Sequence, residues 1–193
     1  MHKLIIASIL LLSQTALASA VIALPQGELA RRVDTIAFGR IIGTRTLVGQ
    51  GGQVATEADF QIYRALKGAA AGEVIRIQVP GGEAGGFTHD VPGSPKLRAG
   101  QMWVGFLTRH SEATRTHTPW GMAYGLLPVR RDLRGTFWVK TDTEGLVFAG
   151  PGQQPDDPLL VFDDTKLDEF FARISLHLQP GTVVPPPKWG VSK

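Results

Sequence analysis

Cysteine is absent from all 193 residues, which excludes disulfides, a thiolate nucleophile, thiolate-held zinc and a lipid-anchored amino-terminal cysteine. Apolar runs are short. Leu4 to Leu12 is interrupted only at Ser8, and no segment reaches the ~18 uninterrupted apolar residues of a membrane-spanning helix, so no stable membrane insertion is expected. Dense basic clusters are also lacking: thirteen of the twenty Lys and Arg residues are arginine, but they are scattered, with no later run longer than Arg130-Arg131. A nucleic-acid footprint would need a clustered basic face with interleaved aromatics, so no nucleic-acid partner is expected from a chain of net charge +3. No G-x-S-x-G frame for a serine nucleophile and no D-x-D-x-D-G calcium loop occurs.

The amino terminus has His2 and Lys3, then the apolar run, then Ala18-Ser19-Ala20. That order reads as a secretory signal peptide over residues 1–20, cleaved after Ala20 to leave Val21 first. Export without cysteine suits a bacterial periplasmic or secreted protein.

Beyond it, Pro25 to Val33 predicts a short helix, with Leu29 and Val33 one turn apart. Period-two alternation then takes over. Asp34–Thr44 sets Ile36, Phe38 and Ile42 on one face, Thr56–Leu66 sets Ala58, Phe60 and Ile62 there, and Glu73–Val79 sets Ile75, Ile77 and Val79 there. Further strands are expected at Gln101–Thr108, Gly121–Val129, Thr136–Thr141 and Leu146–Ala149, the last two as a hairpin through Asp142-Thr143-Glu144-Gly145. Near the end, Leu167, Phe170, Phe171, Ile174 and Leu178 recur at helical spacing, with Asp163 or Asp164 as cap. The expectation is a mainly β protein: a closed or partly open OB-like antiparallel barrel over 21–150, with a short N-terminal helix. A linker and C-terminal amphipathic helix follow over 151–180, then a flexible proline-rich tail over 181–193.

Gly81-Gly82-Glu83-Ala84-Gly85-Gly86-Phe87-Thr88-His89-Asp90 is the most chemically suggestive stretch. A phosphate cradle requires a helix after its glycines; Pro92, Gly93 and Pro95 follow instead, so a turn is expected. Adjacent His89 and Asp90 point to opposite sides of an extended segment and form no dyad. His110 and His117, seven apart around a polar loop, do not have zinc-site spacing. Trp103 and Trp138 are expected in the core or barrel wall, whereas Trp120, at a loop end, is free to line a surface. No catalytic residue, metal or cofactor is assigned. Contact residues are expected at Phe87, His89, His110, His117 and Trp120, on loops at Gly81–Pro95 and Arg109–Trp120.

The ordered motifs Val33-Asp34-Thr35-Ile36-Ala37-Phe38-Gly39-Arg40, Phe60-Gln61-Ile62-Tyr63-Arg64-Ala65-Leu66-Lys67-Gly68, Val79-Pro80-Gly81-Gly82, Val91-Pro92-Gly93-Ser94-Pro95 and Ala99-Gly100-Gln101-Met102-Trp103-Val104-Gly105-Phe106-Leu107 resemble a group of uncharacterised exported bacterial proteins. More distantly, they resemble the netrin-like modules of tissue metalloproteinase inhibitors. Over residues 28–150 the resemblance implies a closed OB-like barrel of five or six strands. Those inhibitors chelate zinc through an amino-terminal cysteine, which this chain lacks, so their mechanism does not carry over. The functional expectation is an exported non-enzymatic binding module, with another exported protein as partner. The alternatives are a periplasmic hydrolase using the loop histidines, or a protease inhibitor or regulator.

Overall fold

The computed structural model describes residues 19–22, 24–111, 115–142, 146–148 and 164–179. The expected signal up to residue 18, the linker at 151–163 and the tail at 181–193 lie outside the described residues.

Strand β1 (Ser19–Val21) leads into α1 (Gln26–Arg32), where the Pro25 carbonyl accepts the first helical bond from Leu29 N–H at 2.9 Å. Leu29 and Val33 are fully buried, as their spacing predicts. β2 (Thr35–Val48) and β3 (Val54–Lys67) then form a long antiparallel hairpin, turned by Gly51 and Gly52 at positive φ. β4 (Val74–Pro80) pairs with β3 and buries Ile75, Ile77 and Val79. After it, β5 (Gly82–Ala84) and β6 (Phe87–His89) make a small hairpin. Its two-residue turn, Gly85-Gly86, has φ of +58° and +80°, the sign that a type I′ hairpin turn requires at both positions. The glycines thus build a hairpin where only a loop was expected.

β7 (Met102–Ser111) returns antiparallel to β2, and β8 (Thr116–Pro119) pairs with β7 on one side and with β4 in parallel on the other. The ring β2-β3-β4-β8-β7 therefore closes into a five-stranded barrel, with one parallel pairing in an otherwise antiparallel set.

The second half of the fold arises because β7 has more edge than β8 fills. Leu107 to Ser111 pairs with β8, while Met102 to Gly105 pairs with β9 (Leu126–Arg131). Between them, Met122–Gly125 forms a 3-10 turn, entered through Gly121 at φ +59°. The single strand expected over Gly121–Val129 is therefore turn first and strand second. β10 (Phe137–Val139) continues the sheet from β9. β11 (Leu146–Phe148) does not return beside β10; it lies parallel to β1, so the expected hairpin is not formed. β12 (Thr165–Lys166) pairs with β10 and runs into α2 (Leu167–Leu178).

α2 buries Leu167, Phe170, Phe171 and Ile174. Of the two expected caps, Asp163 lies outside the described residues and Asp164 pairs with Lys140 at 2.7 Å, while Lys166 precedes the helix without a side-chain cap bond. Asp168 and Glu169 in the first turn complement the helix dipole.

Two cores result. The barrel interior holds Ala37, Ile41, Phe60, Ile62, Ile77, Trp103 and Leu107. The helices cover the other face of β2 and β7, where Ile36, Phe38, Val104 and Phe106 meet Phe170 and Phe171. β2 and β7 are apolar on both faces for that reason. Ile42, expected inward, is 50% exposed while Ile41 is fully buried, because the register shifts between Ile41 and Gly43.

Candidate functional site

The segment from Asp90 to Arg98 crosses the barrel mouth between β6 and β7. Leu97 is buried in the barrel core and fixes it there. Ser94 Oγ donates to the Pro80 carbonyl at 2.6 Å, Ala123 N–H donates to the Gly93 carbonyl at 3.0 Å, and Lys96 pairs with Asp90 at 3.3 Å.

A groove opens on each side of this segment. One, of about 730 Å³, runs past Arg98, Met102 and Trp103 to Pro128 and Arg130 on β9. The other, of about 550 Å³, is walled by strand residues of the β2–β3 and β5–β6 hairpins and includes Arg45, Thr56, Glu83 and His89. Near it, the Glu57 carboxylate on β3 is almost wholly buried between Arg45, which hydrogen-bonds it, and Arg76 at 3.7 Å. A third groove of about 500 Å³ lies between β9, β10 and β12, bordered by Arg130, Arg131, Asp132, Trp138, Lys140 and Asp164.

The expected contact residues separate into different environments. Phe87 and His89 share β6 and are exposed, Phe87 at 75%. His110 is exposed on β7. His117 points inward from β8 and is buried, a correction to its reading as a loop residue available for contact. Its Nδ1 lies 3.0 Å from the Arg115 carbonyl and its Nε2 3.4 Å from Thr35 Oγ1. A small cavity of about 150 Å³ adjoins it, with Glu73 and Arg115 paired across the rim at 3.1 Å. Trp120 is half-buried against the helical core with the Arg32 guanidinium 5.9 Å from its ring centroid, so it supports the fold rather than lining an open surface. The three histidines stand on three strands and do not converge on one exposed centre.

Trp103 is buried in the barrel wall as expected. Trp138 is not in the core. Its strand neighbours Phe137 and Val139 pack against the helices, whereas its own ring borders the third groove. Asp132 Oδ2 accepts its indole N–H at 3.0 Å. That bond, followed by backbone N–H donation from Thr136 and Arg134, holds the Asp132 carboxyl below its usual pKa. Period-two alternation could have placed Trp138 on this outer face, because Phe137 and Val139 flank it with the opposite orientation. Among the described residues no group of three or more His, Asp or Glu side chains is placed to hold a metal ion. No family model and no curated protein matches the chain.

Proposed function

We propose that the protein is an exported, non-enzymatic interaction module that contacts another exported protein through the β5–β6 hairpin. The observation that carries this reading is Phe87: a large apolar side chain, 75% exposed, on a hairpin rooted where Gly82 packs against Thr56 and where Thr56 Oγ1 donates to the Gly81 carbonyl at 2.9 Å. Aromatic anchors presented on a rigid support recur at the centres of protein interfaces. The export half of the reading rests on the order of His2-Lys3, the apolar run and Ala18-Ser19-Ala20. A hydrolase reading is less well supported, since the histidines lie apart and both ring nitrogens of His117 are already engaged.

A photo-crosslinking residue placed at Phe87 in the exporting cell tests this. The expected result is one discrete adduct from the cell envelope that is lost when unlabelled purified protein competes. The same residue at Leu133, which is fully exposed on the β9–β10 turn, should give no such adduct. Identical adducts from both positions would remove the hairpin from the reading. A mature amino terminus other than Val21 would remove the expected cleavage.

A further inference from the structure

The groove beside the barrel mouth and the groove beneath Trp138 meet at Arg130, which borders both. Cross-strand register sets Arg130, Trp138 and Lys166 in one row across β9, β10 and β12, and the Lys166 ammonium stands 5.9 Å from the Trp138 ring centroid. Four acids border these grooves. Asp90 pairs with Lys96, Asp164 pairs with Lys140, Asp132 accepts the indole N–H, and Asp142 lines the first groove. Arg98 and Arg130 have no carboxylate partner among the described residues. The surface therefore offers a fixed aromatic ring in one groove and, at Arg98 and Arg130, two guanidiniums without a carboxylate ion pair.

We infer that the two grooves form a binding site for an acidic oligosaccharide, with a sugar ring laid against Trp138 and carboxylates received by Arg130 and Arg98. An indole ring locked through its N–H presents its flat apolar surface to the C–H face of a pyranose. The guanidinium fork matches a carboxylate in two parallel hydrogen bonds. Single-stranded nucleic acid, the other polyanion with flat rings, is bound by successive aromatic platforms. Here one tryptophan serves the row, which favours the saccharide. Arg98 also lines the groove beside the β5–β6 hairpin, but Arg130 and Trp138 do not, and the inference does not depend on the hairpin's partner.

Titration with trigalacturonic acid, followed by the indole N–H resonance of Trp138 in ¹⁵N-labelled protein at about 0.15 M salt, provides the test. A saturable shift is expected, with neutral galactotriose leaving the resonance in place. Arg130→Gln should weaken binding by about tenfold, the loss of one charge-assisted contact, with the remaining spectrum unchanged because Arg130 is exposed. Trp138→Phe, which keeps a ring but removes the reporter resonance, should weaken binding measured by isothermal titration calorimetry while preserving the fold. Absence of saturation with trigalacturonic acid, unaltered affinity in Arg130→Gln, or tighter binding of a thymidine octamer would each overturn the assignment.

Discussion

Burial removes the imidazole of His117 from water, and that desolvation is the main reason its pKa falls below 6.5. The nearby Arg109 cation pushes in the same direction, while the Arg115 carbonyl and Asp34 oppose it. The folded state therefore prefers the neutral ring, and the unfolded chain takes up the proton first as acidity rises. His117 contributes its full stabilisation above pH 6.5 and loses it as the pH falls through the lowered value of the folded protein. Urea midpoints measured at successive pH values from neutral downward should decline in the wild type, and the decline should be shallower in His117→Gln. Parallel profiles would show that the acid sensitivity arises elsewhere. The polar neighbours Arg115 and Thr116 gave no hint of this burial. The alternation of β8 is only four residues long, too short for a periodic reading to separate inside from outside.

At the scale of elements, alternation made β3 and β4 legible because each has one face against the barrel core, whereas the β2 residues it singled out, Ile36 and Phe38, face the helices. It failed where the chain changes register. Gly39 lies at such a place: its pairing with β3 is irregular after Phe38, and a Cβ there would run into the Gln61 carbonyl and approach the Phe60 ring at 2.9 Å. Gly39→Ala should cost about 1–3 kcal/mol through overpacking, read as a lower urea midpoint at unchanged slope. Gly49→Ala, whose added methyl would meet only Gln53 at 3.5 Å, should stay within about 0.5 kcal/mol of wild type, as surface changes usually do. Equal losses at both sites would show that general strand propensity, not the close approach, sets the requirement. The β5–β6 hairpin was half legible. Its glycines announced a turn, but with only three residues per strand they left no alternation to read. The row containing Trp138 was missed because its partners come from β9 and β12, and single-strand patterns hold no information on which strands become neighbours.

Across the whole molecule, the apolar runs at Ile36-Ala37-Phe38 and Trp103-Val104-Gly105-Phe106-Leu107 held the signal that β2 and β7 are covered on both sides. What could not be read was the order of strands, because barrel closure is decided by which distant edges are left unpaired. β7 joins β2 along one edge and shares the other between β8 and β9. That shared edge also bears on how fast the protein reaches its native state. The β2–β3 turn brings Val48 to Val54 within a few residues, whereas Ile36 must find Phe106 about 70 residues away and Ile77 must find His117 about 40 away, so closure carries the larger loop entropy. Ala58→Gly in the hairpin should mainly slow refolding, and Leu107→Ala on β7 should mainly accelerate unfolding, in stopped-flow chevrons. The reverse pattern would place β7 in the nucleus. If β7 docks last in those chevrons, the barrel and the helical layer are completed in the same final step, and their unfinished forms share one exposed edge during biosynthesis.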